Sequence, residues 1–231
     1  MKKSLIVLLV FVFTVTVCTA VNTCLGKKNF VNSQYYLSDV CIVIDAGHGG
    51  ADAGTVAADG TLEKDINLAI ALDLYDFLNV CGIECVTIRN GDYEFYPDGI
   101  DRSRSDLYNR LDFVNETENA VLVSIHQNFF TDSSEHGMQV WYTANEKTSE
   151  VLADNILNYT KMFLQQDNTR QNKQSDNSYY ILYNAQVPSV MVECGFMSNA
   201  AENEKLNTEE YQKQIACTIM LGINEYIYGE V

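Results

Sequence analysis

CIVIDA, residues Cys41–Ala46, runs directly into GHGGADAG at residues 47–54. Four consecutive apolar residues open the run, the pattern of a strand covered on both faces in a largely parallel sheet. The glycines that follow end the strand and release the chain into a pliable loop. Phosphate-binding loops also begin with glycines after a buried strand, and the residues test that reading. A P-loop requires lysine after its last glycine, but Thr55 follows Gly54. The dinucleotide pattern starts well with Gly47 and Gly49 and then meets Asp52 where its third glycine belongs. Both phosphate readings fail, leaving a loop that presents one imidazole, His48.

Outward from this stretch, strands and helices alternate. Residues 62–80 place Ile66, Ile70, Leu74, Phe77 and Leu78 at helical spacing, and Gly82 stops the helix. Strands are predicted at 84–88, 120–125, 138–142, 180–182 and 189–192, and helices at 104–115, 149–163 and 208–226. A polar loop, rich in Asn and Gln, covers 165–178. This alternation predicts an α/β fold: a single three-layer domain at 38–231 with a mixed, mostly parallel sheet flanked by helices. Function in such sheets gathers just past the carboxyl ends of the strands.

Three loops therefore matter most. The first carries His48. The second, Ser124-Ile125-His126-Gln127-Asn128, carries another histidine directly beyond a buried strand. The third, Val192-Glu193-Cys194-Gly195-Phe196, carries a carboxylate in the corresponding position. Glu63, at the start of the first helix, can turn toward His48. Two imidazoles and a carboxylate with an open fourth position make a catalytic zinc site, and a second carboxylate can serve as general base. Ordinary readings stand beside this one. Glu63 in a first turn also complements a helix dipole. Cys194 with His126 is the pair a cysteine hydrolase needs. His136, in a polar stretch, is expected to stand apart.

Composition narrows the partners. The chain has 231 residues, 47% hydrophobic and 20% charged, as globular proteins do, with a formal charge of −16. Such acidity repels phosphate backbones and anionic lipids, which excludes nucleic acid as a partner. Lys2 and Lys3 precede an uncharged apolar stretch at 4–21, so residues 1–25 read as a signal peptide or signal anchor that sends the body out of the cytoplasm. Membrane contact is expected only through that segment. Seven cysteines at irregular spacing, with no Cys-x-x-Cys, make neither a disulfide framework nor a zinc knuckle.

The motifs together resemble the zinc-dependent N-acetylmuramoyl-L-alanine amidases. The family's I-D-x-G-H-G-G is similar to residues 44–50, and its E-K-x-x-N-L to residues 63–68. Its T-R element resembles Thr87-Ile88-Arg89 with one residue inserted, and R-x-x-x-A-N resembles 110–115 with Val114 for alanine. S-I-H-x-N matches 124–128. P-x-x-L-V-E-x-G-F-x-S-N resembles 188–199 with Met191 for leucine. The resemblance implies one Zn2+ on His48, Glu63 and His126, Glu193 as the catalytic carboxylate, and hydrolysis of the amide between N-acetylmuramic acid and L-alanine in peptidoglycan. It further implies a spore-cortex, germination-specific role with stem-peptide removal and muramic lactam formation. A general cell-wall amidase of division or autolysis is the alternative. In some division-associated relatives a helix inserted after S-I-H-x-N covers the metal. Residues 127–137 are too few for one, so open access is expected. The absence of wall-binding repeats raises the expectation of an exported accessory protein.

Overall fold

The computed structural model describes residues 40–97 and 105–229. The hydrophobic segment assigned to residues 1–25 lies outside them. No helix among the described residues is long and apolar enough to cross a membrane.

Six strands form one sheet in the order β2-β1-β3-β6-β4-β5. They are β1 (Cys41–Ala46), β2 (Cys85–Thr87), β3 (Ala120–Asn128), β4 (Gln139–Tyr142), β5 (Lys173–Gln174) and β6 (Ser189–Phe196). All pairings are parallel except β4 with β6. β1, β3 and β6 occupy the middle, and their residues are buried on both faces as the unbroken apolar runs require. One face carries Ile42, Ile44, Val123, Ile125, Val140 and Val192 into the larger core. Helices α1 (Glu63–Val80), α3 (Thr148–Phe163) and α6 (Glu209–Tyr228) cover it. The other face puts Val43 and Leu122 against α2 (Asp106–Glu116) and α4 (Tyr180–Asn184) through Val114 and Ile181. The result is the expected three-layer α/β domain.

The structure departs from the sequence reading in four places. Residues 180–182, expected as a strand, lie in α4, where Tyr183 N donates to Tyr179 O at 2.8 Å and Ala185 N to Ile181 O at 2.8 Å. Three apolar residues carry no measurable period, so the tripeptide suited either element. Within the polar loop, Lys173 and Gln174 pair with Trp141 and Tyr142 as β5. A short helix, α5 (Ala200–Leu206), follows β6, its first N–H groups held by the side chain of Asn199. Finally, β3 and β6 run further than expected. His126 and Glu193 are paired residues inside their strands, not loop residues beyond them.

Candidate metal centre

From β1 the chain branches to β2 on one side and β3 on the other, and the crevice at that reversal receives the glycine loop. His48 sits there with φ +63°, a conformation that costs a non-glycine residue free energy and persists only where the surroundings hold it. Two buried arginines do so. Arg110 donates to Ala46 O at 2.9 Å and to His48 O at 2.7 Å. Arg89 donates to Ala46 O at 2.7 Å and Gly47 O at 3.0 Å. Arg110 is balanced by Asp45 at 2.6 Å, and Asp45 accepts a further bond from Ser124 Oγ at 2.7 Å. Burial alone would raise Asp45, but Arg110 and Ser124 reverse that and hold it below the ordinary carboxylate range.

The loop also builds the start of α1. Leu62 offers no side-chain cap; instead Thr55 O and Ala53 O accept from Glu63 N and Lys64 N at 2.9 and 3.2 Å. The Glu63 side chain is thereby free to lie under the histidines. Its Oε2 accepts from Thr55 N at 2.9 Å. Its Oε1 accepts from Gln127 N at 3.1 Å, and lies 3.0 Å from His126 Nδ1 and 3.3 Å from His48 Nε2. Lys64, beside it, ties the loop down through Gly50 O and Asp92. Asn67 bridges Gly47 O and Gln127. Lys64, Asn67, Arg89 and Arg110 were legible only as letters in the motifs; here each is seen to hold loop backbone in position.

Among the described residues, His48, Glu63 and His126 bring one ligand atom each within 4.8 Å of one another. A tetrahedral ion with bonds of about 2.0–2.2 Å separates its donors by roughly 3.4 Å, close to the 3.3 and 3.0 Å between Glu63 Oε1 and the His48 and His126 nitrogens. Two glycines make the convergence possible. A Cβ on Gly47 would lie 2.2 Å from His126 Nε2, and one on Gly54 would lie 2.6 Å from His48 Cδ2 at a φ of +63°. Asp52, which the sequence reading did not single out, holds His48 Nδ1 at 2.7 Å and so orients its ring. Burial pulls the His48 imidazole down, but Glu63 and Asp52 outweigh it and hold its pKa at about 9. Those same carboxylate–imidazole contacts keep Glu63 well below its ordinary value despite burial. Two imidazoles and a carboxylate, with an outer carboxylate on one ring, fit a zinc-type divalent cation.

Glu193 faces His126 across the β3–β6 pairing. It is 9% exposed, and its Oε2 has no hydrogen-bond partner. Burial pushes its pKa up to about 7, against a partial opposing pull from His126. An unpaired buried carboxyl oxygen next to a ligand cluster is available to a reacting group.

Cys194 points to the opposite face of β6, into the larger core, fully buried, with burial raising its thiol far above the ordinary value. It is neither next to His126 nor reactive, which removes the cysteine-hydrolase reading. All five cysteines among the described residues are free thiols. His136 is exposed and lies 3.9 Å from Asp167, apart from the cluster. Between β3 and β4 the chain forms no helix, so nothing there caps the centre.

The sequence profile of the N-acetylmuramoyl-L-alanine amidases matches residues 42–225. The chain is 31% identical to the germination-specific N-acetylmuramoyl-L-alanine amidase of Bacillus subtilis, over 87% of this chain and 88% of that one. It is 26% identical to the amidase AmiA of Escherichia coli, over 81% of this chain and 76% of the relative. The CwlD amidase from Clostridioides difficile, solved in complex with the GerS lipoprotein, superimposes with a TM-score of 0.75. The two are 35% identical, over 81% of this chain and 98% of that one. Profile and site cover the same stretch of chain, and the protein belongs to the N-acetylmuramoyl-L-alanine amidase family of enzymes.

Proposed function

We propose that this enzyme is a zinc-dependent amidase, in which His48, Glu63 and His126 hold one Zn2+ and Glu193 moves the proton. The convergence of those three donors beside the unpaired oxygen of Glu193 carries the reading. Zinc, when bound, supplies Lewis acidity at the scissile carbonyl. The chain's own residues do the rest. Glu193, poised near neutrality, takes a proton from the attacking water and returns it to the amine of the departing L-alanine. Asp52 fixes the His48 ring, and Arg110 with Arg89 keeps the loop backbone from relaxing. The bond cut is the amide joining the lactyl group of N-acetylmuramic acid to L-alanine in peptidoglycan.

The relatives support a setting as well. Similarity to a germination-specific amidase supports action on spore cortex, outside the cytoplasm, with stem peptides stripped so that muramic lactam can form. A related amidase is solved with a lipoprotein, which supports an exported accessory partner here. The test is metal analysis of the purified chain together with mass spectrometry of digested cortex peptidoglycan. One zinc per chain and release of stem peptides beginning with L-alanine are expected, with turnover abolished by chelation. Turnover that survives complete metal removal refutes the reading.

A further inference from the structure

Two cavities flank the centre, and their charges differ in sign. On the α2 side, a cavity of about 500 Å³ is lined by His48, His126, Asp52 and Glu94, together with Asp106 and the Arg110 that neutralises it. On the other side, between β4, β5 and the end of β3, a groove of about 350 Å³ is lined by Phe130, Trp141, Arg170, Lys173, Tyr179 and Phe196. Gln139, also in its lining, is the β4 partner of Glu193. Trp141 is two residues along β4 from Gln139, so Trp141 and Glu193 rise from the same face of the sheet.

The groove has a stacking wall and a cationic rim. Trp141 and Tyr179 lie with ring centroids 4.6 Å apart and planes tilted by 32°. Lys173 Nζ stands 5.1 Å above the Trp141 ring, and among the described residues it pairs with no carboxylate. Arg170 lies over Phe196 at 4.2 Å, with Glu135 neutralising it. In a chain of net charge −16, this lysine over an aromatic floor is a cation without a carboxylate partner among the described residues, on the same face of the sheet as Glu193. Trp141 Nε1 is moreover buried with no hydrogen-bond partner.

We propose that this groove is the subsite for the carboxylate-bearing stem peptide. Lys173 selects its negative charge and the Trp141–Tyr179 wall supports its backbone. The acidic cavity on the α2 side takes the uncharged glycan. The proposal rests on the amidase reading for the identity of the bond cut. Charge sets the direction. A peptide rich in carboxylates is repelled by Asp52 and Glu94, which no Lys or Arg neutralises among the described residues, and attracted by Lys173. Reach agrees with it. Lys173 lies two strands from Glu193 and two residues along, roughly 12 Å by strand and residue spacings, the span of three to four extended residues.

The experiment uses the free stem tripeptide, a product that is not turned over, so its binding is read independently of catalysis. Its affinity for the zinc-loaded full chain is measured with its carboxylates free and with all of them converted to carboxamides. The carboxylate form is expected to bind roughly 3–5-fold more tightly, as one partly exposed ion pair allows. In Lys173→Gln that preference disappears, and in Lys173→Glu it reverses, while affinity for the amidated peptide stays the same. Lys173 is exposed, so neither change threatens folding. Equal binding of both forms by the unmodified chain, or a preference that survives Lys173→Gln, overturns the proposal. Failure of the amidase reading shows separately, as no release of stem peptides from cortex.

Discussion

Two charged clusters sit at the same end of the sheet, and they are built to opposite rules. Beneath the glycine loop, Asp45, Arg110 and Ser124 form a closed set. Asp45 is 1% exposed, both of its oxygens are engaged, and Arg110 spends its remaining donors on the Asp106 carboxylate and on backbone carbonyls. Above the loop, His48, His126 and Glu63 crowd together with side-chain exposures of 25, 17 and 4%, and Glu193 keeps an oxygen that nothing satisfies. A closed set contributes geometry and requires nothing from solvent. An incomplete one is stabilised only when something from outside completes it. The lower cluster therefore acts as frame and the upper cluster as site.

Glu193→Gln breaks this comparison on the functional side and carries the largest expected effect. Loss of a positioned general base lowers kcat by roughly 10²–10⁴-fold. Zinc content should stay near one per chain, because Glu193 is not among the three converging donors. Stability should hold or rise, since the amide removes a buried charge. Turnover comparable to the unmodified enzyme would strip Glu193 of its role.

Arg110→Ala tests the frame. Leaving Asp45 buried without its partner is expected to cost about 3–5 kcal/mol, seen as a lowered denaturant midpoint. The His48 carbonyl loses its donor as well, so zinc affinity falls together with stability. A variant that unfolded at the normal midpoint would mean that the lower cluster is not a frame at all.

The clusters should also part company with pH, read on the zinc-stripped protein. Asp45 is held below its ordinary value, so its contribution is present above pH 3.8 and is lost as pH falls from there. Glu193 is raised from 4.5 to about 7, so the folded state holds its proton more firmly than the unfolded one, and stability drops as pH rises through that window. His48, raised from 6.5 to about 9, contributes fully below 6.5 and loses its contribution as pH rises to 9. Unfolding followed from pH 4.5 to 9 should therefore show falling stability, on the order of a few kcal/mol in total. Glu193→Gln should flatten the lower half of that decline alone. A decline that the substitution leaves unchanged would contradict the raised Glu193.

Much of this was legible in the sequence, for physical reasons that vary by element. β1 and β3 were readable because parallel strands buried on both faces leave unbroken apolar runs. His48 and His126 followed from them, and Glu193 from the apolar run of β6, as the polar residues at the ends of those runs, and the structure brings them together with Glu63. Glu63 was harder. Its place under the histidines depends on the loop carbonyls of Ala53 and Thr55 capping α1, which no local pattern announces. The same limit hid β5, whose two residues become a strand only by pairing with Trp141 and Tyr142. It also disguised residues 180–182, too short for a period to show. The aromatic wall was invisible for a similar reason, since Trp141 and Tyr179 meet only through tertiary packing.

The smallest expected effect falls at the seam between the clusters, on Asp52. Its carboxylate holds His48 Nδ1 at 2.7 Å while Oδ1 accepts from Gly54 N at 3.0 Å, joining the orientation of a donor ring to the shape of the loop. The Asp52 side chain is 61% exposed, so solvent screens the pair and little folding stability depends on it. Asp52→Asn keeps the size and the acceptor for Gly54 but removes the charge that supports the ring. Outer partners of metal-bound histidines are typically worth about 10–100-fold in affinity, and this exposure places Asp52 toward the lower end. Zinc affinity by competition with a chelator should fall by roughly tenfold, with the unfolding midpoint of the metal-free protein nearly unchanged. Full recovery of turnover at excess zinc would assign Asp52 to holding the metal. A kcat that stayed depressed at saturation would instead place it in the chemistry, and the boundary between frame and site would have to be redrawn to include it.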